Sequence, residues 1–210
     1  MKTDGIIFDL DGTLWDSCET VTRSWQRTLR QYDPERSVTI EQVRSVMGMT
    51  AQQLAQSLDS DFGDRAMEVC LRTLREECGY VAEHGGLIYA GVAPLLERFS
   101  RKCGLYIVSN CLEGYIESFL KFSGFGAYFR DFLNPSVTGQ DKAGNIRLII
   151  EKHSLVRPVY VGDTELDRQS AAEAGCPFVH AAYGFGKPSR PCASVGSFWE
   201  LDKLLELDQA

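Results

Sequence analysis

Residues 6–16 read Ile-Ile-Phe-Asp-Leu-Asp-Gly-Thr-Leu-Trp-Asp. The apolar run 6–8 breaks off into Asp9-Leu10-Asp11-Gly12-Thr13, the pattern of a buried strand that delivers polar groups at its carboxyl end. Asp9 and Asp11 lie two apart, so on a continuing strand they share a face. Two neighbouring carboxylates repel each other, and holding both ionised requires a cation beside them. A hard divalent ion such as Mg2+, which takes oxygen ligands and keeps several waters, meets that need. Gly12 and Thr13 let the backbone turn sharply and bring amide N–H groups toward an anion.

Downstream of Leu14 the pattern turns helical: Val21, Trp25, Leu29 and Tyr32 recur every three or four residues, with Asp16 or Ser17 as N-cap and Asp33-Pro34 as the stop. Thr39 and Thr50 cap two further helices, the first carrying Ile40, Val43 and Val46, the second Leu54 and Leu58. A longer helix runs from Asp64 or Arg65 to Val81, with Met67, Leu71, Leu74 and Cys78 on one stripe. No strand pattern interrupts this region, which reads as an all-helical insert of roughly 70 residues, a size that is marginal alone and needs docking.

From Leu87 strands and helices alternate, which predicts a parallel sheet with right-handed crossovers. The strands are residues 105–108, 129–133, 159–161 and 178–182; the helices begin near Val92, Gly114, Ile146 and Asp167, and an amphipathic helix over 197–207 closes the chain. The Gly- and Pro-containing stretch 184–194 reads as a loop. The expected fold class is therefore α/β, with a helical unit inserted after the first strand.

The chain has 210 residues, 44% hydrophobic and 24% charged, which allows one sizeable core and a smaller appended unit. A net charge of −7 disfavours nucleic acid or an anionic membrane as partner. No run of 18 apolar residues and no signal-peptide pattern appears, so the cytoplasm is the expected location. The seven dispersed cysteines (18, 70, 78, 103, 111, 176 and 192) signal neither a disulfide framework nor a zinc site.

In an open parallel sheet, functional groups gather at the carboxyl ends of strands. Three strands here end in polar residues: Asp9 and Asp11, Ser109-Asn110, and Gly162-Asp163-Thr164 followed by Asp167; Lys142 is expected in a loop before the last. Taken in this order, Asp9-Leu10-Asp11-Gly12-Thr13, Ile107-Val108-Ser109-Asn110, Lys142 and Gly162-Asp163-Thr164-Glu165-Leu166-Asp167 resemble the four motifs of the haloacid dehalogenase superfamily, phosphatase branch, from end to end. One departure is Ala143 after the motif lysine, where many relatives have proline.

The resemblance implies a Rossmann-like core over residues 1–15 and 88–210 and a helical cap over 16–87. It implies a Mg2+-dependent phosphatase of the phosphoglycolate phosphatase-like kind, acting on a small phosphorylated metabolite as monomer or homodimer. Asp9 is then the nucleophile that forms an aspartyl-phosphate. Asp11 is the general acid and base. Asp9, the backbone carbonyl of Asp11 and Asp163 hold the metal, supported by Asp167. Ser109, Asn110 and Lys142, with the amides near Gly12 and Thr13, bind the phosphoryl oxygens. Residues 46–51, Val-Met-Gly-Met-Thr-Ala, are either a substrate-contacting cap loop or a plain interhelical turn. Trp15, Trp25 and Cys111 either border the site or fill core. The retained Asp11 disfavours a dehalogenase, and the scarcity of basic residues in the cap loop disfavours a β-phosphoglucomutase-type phosphomutase. Retention of all four motifs argues against a non-catalytic binding module.

Overall fold

The computed structural model describes residues 3–205. In chain order the elements are β1 (Gly5–Phe8), β2 (Trp15–Asp16), α1 (Cys18–Leu29), α2 (Ile40–Val46), α3 (Ala51–Phe62), α4 (Ala66–His84), β3 (Leu87–Ile88), α5 (Val92–Ser100) and β4 (Gly104–Val108). There follow α6 (Tyr115–Ser123), β5 (Asp131–Leu133), α7 (Pro135–Thr138), α8 (Lys142–Lys152), β6 (Pro158–Gly162), α9 (Glu165–Glu173), β7 (Phe178–Ala181), β8 (Ala193–Val195) and α10 (Leu201–Leu205).

Among the described residues, six strands form one parallel sheet in the order β5-β4-β1-β6-β7-β8. The first strand of the chain is thus central, and it is buried on both faces, which is why its run is apolar without alternation. Ile6 and Phe8 point into the larger cluster with Leu96 and Phe99 of α5, Phe119 of α6 and Leu201 of α10. Ile7 points the other way, to Ile146 and Ile149 of α8 and Ala171 of α9. Helices therefore cover both faces, and each fully buried side chain of 6–8 contributes about 1.5–3 kcal/mol. From β1 the chain goes on to β4 on one side and from β6 to β7 on the other, so the loops after β1 and β6 diverge and open a crevice at the carboxyl ends of these strands.

The segment between β2 and β3 carries α1 to α4, with α4 packed on both α1 and α3. Among the described residues no strand interrupts α1 to α4, as expected, but an unforeseen ribbon flanks them: β2 and β3 pair antiparallel, Trp15 with Ile88 and Asp16 with Leu87, so the segment leaves and re-enters through it. Two-residue strands carry too little pattern to be read from sequence. On α4 the buried stripe is Ala66, Val69, Cys70, Thr73, Glu77 and Val81, rotated from the one expected, and Met67 is exposed. The error arose because a buried threonine and a buried glutamate sit where the hydrophobic pattern expects apolar residues. The stretch 184–194 is not simply a loop: its end leads into β8, which extends the sheet beside β7. The closing helix is a 3-10 turn, Phe198–Glu200, running into α10; Glu206 and Leu207 of the expected helix lie outside the described residues.

Candidate active site

Four sheet-edge segments converge on one point. Asp9 continues the ladder beyond β1, its amide donating to the Val161 carbonyl at 2.8 Å, so its side chain is placed by the central strand. Its Oδ1 accepts from Lys142 Nζ at 2.8 Å, and the same ammonium donates to Asp167 Oδ1 at 2.7 Å. Lys142 is the first residue of α8, capped by the Asp141 carboxylate, and is only 3% exposed, so the expectation of a loop lysine is corrected. The helix was expected to begin at Ile146 because Ala143, Gly144 and Asn145 lack an apolar signal, but Asp141 accepts from the Gly144 amide at 2.7 Å and starts it earlier.

Asp163 follows β6 and is fully buried. Its Oδ2 accepts from the Phe185 amide at 2.7 Å, whereas its Oδ1 is buried without a hydrogen-bond partner. Asp167 caps its own helix: Oδ2 accepts from the Thr164 amide at 2.9 Å and the Thr164 hydroxyl at 2.7 Å, while Thr164 Oγ1 accepts from the Asp167 amide at 3.1 Å. Asp9, Asp163 and Asp167 each bring one oxygen to within 4.8 Å of the others.

Burial pushes the Asp9 carboxyl up to about 7 despite Lys142, and the Asp163 carboxyl up to about 8, with Asp167 and Asp9 adding to the rise. Asp167 stays below its ordinary value: burial works against its charge, but Lys142 and the Thr164 donors outweigh it. Burial alone would lower Lys142, yet Asp167 and Asp9 hold it above its ordinary value. One ammonium thus serves three clustered carboxylates, and the charge deficit falls on Asp9 and Asp163. A hard cation matches this donor set: the ligand atoms are all oxygens, and Asp163 Oδ1 is an orphaned acceptor facing no protein donor. Asp9 and Asp163 would hold it, with Asp167 behind them.

Asp11 lies apart from that cluster. Its Oδ1 accepts from Ser17 Oγ at 2.5 Å and from Tyr115 Oη at 3.0 Å, and burial pushes it up to about 6. Ser17 therefore stands at the N-cap position of α1 without capping it; the Cys18 amide goes to Asp16 Oδ1 at 2.9 Å instead. Sequence reading missed Ser17 as a partner of Asp11 and missed Tyr115 altogether. Tyr115 sits 104 residues away and on the buried side of α6, where an aromatic residue reads as core.

Gly12 and Thr13 shape the turn: their amides donate to the Trp15 carbonyl at 2.9 Å and the Leu10 carbonyl at 3.2 Å, so neither is free for an anion. Among the described residues, the Leu10, Asp11 and Asn110 amides donate to no protein group. Leu10 left no signal in the sequence because only its backbone is involved. Gly12 has φ +80°, and a Cβ there would lie 2.3 Å from Asp163 Oδ2, so the residue is needed for both the turn and the close approach. Thr13 Oγ1 is buried without a partner.

A cavity of about 410 Å3 opens in front of Asp9, between the sheet edge and the helical segment. Asp9, Asp11, Ser109 and Asn110 form its floor, residues 46–51 one wall, and Trp25 and Glu77 another. Asn110 Nδ2 donates to the Gly48 carbonyl at 3.0 Å, so the 46–51 loop meets the core directly over the site. Cys111 borders the cavity, and Trp15 packs in the core against Phe119, with centroids 4.9 Å apart. Trp25 Nε1 donates to Glu77 Oε2, and burial pushes Glu77 up to about 8, with Trp25 pulling the other way.

A family model described as haloacid dehalogenase-like hydrolase matches residues 6–181. A protein named phosphoglycolate phosphatase from Photobacterium profundum is 29% identical, covering 96% of this chain and 95% of its own. Another of that name from Rhodobacter capsulatus is 28% identical over 87% of this chain and 85% of its own. A crystal structure from Haemophilus somnus, named a predicted phosphoglycolate phosphatase, superposes with a TM-score of 0.87 at 22% identity, covering 98% of this chain and 99% of that one. That last likeness bears on the fold, and the family model spans every motif from Asp9 to Asp167. The chain belongs to the haloacid dehalogenase-like hydrolase family.

Proposed function

We propose that this chain is a Mg2+-dependent phosphatase that hydrolyses a small phosphomonoester through a phosphoryl group carried on Asp9. The observation that carries the reading is the convergence of Asp9, Asp163 and Asp167 on Lys142 beside the cavity, with Asp163 Oδ1 left unpaired. Bound there, Mg2+ supplies the positive charge that lets a carboxylate approach a phosphate dianion.

The chain's own residues perform the remaining work. An Asp9 carboxylate oxygen forms a bond to phosphorus as the ester P–O bond breaks, and Asp11 gives its proton to the departing alkoxide. Asp11, now a carboxylate, takes a proton from water as that water's oxygen attacks phosphorus and the Asp9–phosphorus bond breaks, releasing phosphate. Tyr115 and Ser17 hold Asp11 in place for both transfers. Lys142, Ser109 and the Leu10, Asp11 and Asn110 amides bind the phosphoryl oxygens. The Asp11 carbonyl would be the third metal ligand, and Asp167 fixes Lys142.

In this reading residues 16–87 are the cap and the rest the core, with the 46–51 loop closing over the substrate. Arg44, the basic residue at that loop's edge, pairs with Asp16 at 2.9 Å, and among the described residues no Lys or Arg lines the cavity to hold a second phosphate, which favours hydrolysis over a mutase. The partner is a small phosphorylated metabolite, with phosphoglycolate included in the panel because the relatives are named for it, and the protein acts as monomer or homodimer in the cytoplasm. No helix among the described residues is long and apolar enough to cross a membrane. Phosphate release from a panel of esters with Mg2+, with and without EDTA, tests the reading. Release that stops on chelation and in Asp9→Asn is expected; full turnover after exhaustive chelation overturns the metal's role, and no release from any ester overturns the phosphatase.

A further inference from the structure

Building on the phosphatase reading, we propose that Glu77 selects the alcohol half of the substrate: a mainly apolar alcohol bearing an O–H or N–H donor, neutral or cationic, is accepted, and one bearing a carboxylate is turned away. The cavity's cap-side wall is apolar in Val46, Met47, Leu54 and Leu74, and the one charged side chain the cap contributes to it is Glu77. No Lys, Arg or His is among the lining residues. Of the cations beside the site, Lys142 is engaged by Asp9 and Asp167 and Arg44 by Asp16. Above about pH 8, where Glu77 is charged, a carboxylate on the leaving group would therefore enter a chamber of its own sign, where burial makes like charge costly.

Glu77 also has unused bonding capacity. It is 6% exposed, and only Oε2 is taken, by Trp25 Nε1; Oε1 makes no hydrogen bond to a described residue. Tying α1 to α4 needs just that one oxygen. A second acceptor held at this depth on a cavity wall gains most from a donor on a bound molecule. An ammonium or hydroxyl group supplies one, and the ammonium adds charge complementarity.

The test uses three monophosphates of similar size: ethanolamine phosphate, propyl phosphate and phosphoglycolate. At pH 9, where Glu77 is charged, values of kcat/KM are measured for the parent, Glu77→Gln and Glu77→Lys, and binding to Asp9→Asn is measured by calorimetry. The parent should prefer ethanolamine phosphate and propyl phosphate to phosphoglycolate by about tenfold or more. Glu77→Gln, which keeps an acceptor for Trp25, should narrow the gap between ethanolamine and propyl phosphate, and Glu77→Lys should raise phosphoglycolate above both. Glu77 as a purely structural link predicts instead a loss of thermal stability with all three ratios unchanged. Phosphoglycolate as the best parental substrate, or ratios indifferent to both substitutions, overturns the proposal and leaves the phosphatase reading standing. If none of the three is hydrolysed, the order of binding to Asp9→Asn decides alone: the same preference supports the role of Glu77, and no binding or a preference for phosphoglycolate overturns it.

Discussion

Lys142 Nζ lies within 2.8 Å of Asp9 and 2.7 Å of Asp167 and is 3% exposed, so it binds the core together as well as facing the substrate. Removing it leaves two buried carboxylates without their cation, a change that costs about 3–5 kcal/mol when one partner of a buried pair is deleted. Lys142→Ala is expected to lose turnover and to unfold at lower urea, in contrast to a surface lysine, which would change neither; equilibrium unfolding beside an activity assay reads both. Asp11 makes a second residue-scale prediction. Asp11→Asn keeps the backbone but loses the titrating group. With p-nitrophenyl phosphate, whose leaving group needs no proton, the variant should release a burst of nitrophenol and then stall, because water still requires a base. In the parent, the carboxylate form of Asp11 grows as pH rises through about 6, so the dephosphorylation step should speed up across that window, and the variant should lose that dependence. Rapid quench showing no phosphoenzyme, or a variant turning over at the parental steady rate, removes Asp11 from both steps.

At the scale of elements, the junction between cap and core rests on few bonds near the site. Asn110 Nδ2 to the Gly48 carbonyl is one, at 3.0 Å, and it joins the end of β4 to the 46–51 loop. Asn110→Ala keeps the phosphate-facing amide and deletes this link, worth about 0.5–1.5 kcal/mol. KM should rise roughly twofold to tenfold with a smaller change in kcat, and faster proteolysis within 46–51 should accompany it; an equal fall in kcat and kcat/KM would point to a role in the transition state instead. The elements differ in how legible they were. β1, β4 and β6 were evident because strands buried on both faces are apolar throughout, and their polar ends marked the site. Long-range choices were not: nothing local in Ser17 or Tyr115 says that both turn toward Asp11, and nothing in Glu77 says that a helix will bury it against Trp25. The ribbon of β2 and β3 and the outermost strand β8 are two and three residues long, too short for periodicity to register.

For the molecule as a whole, a net charge of −7 and a cluster of carboxylates at the centre of the sheet edge set fold stability against function. Asp163 and Asp9, raised by burial to about 8 and about 7, are only partly charged at neutral pH, because each ionises against burial and its neighbours' charge, which Lys142 offsets only in part. A cation that binds the folded chain and not the unfolded one stabilises it by RT ln(1 + [M]/Kd), about 2.7 kcal/mol at a hundred times Kd. For a chain of this length, that corresponds to a rise in melting temperature of about 5–10 °C. Mg2+ should produce such a rise over EDTA at pH 7.5. Ca2+, whose larger and more flexible shell accepts the same oxygens, should also raise the melting temperature while inhibiting phosphate release. Asp163→Asn gives the sharper discrimination. It removes a carboxyl that ionises only against burial and like charge, and the unpaired acceptor with it, so in EDTA it should melt at or above the parent, and it should lose most of the Mg2+ shift. A shift of parental size in Asp163→Asn would mean that the ion acts by general screening of the acidic surface, and the carboxylate cluster would then lose its assignment as a metal site.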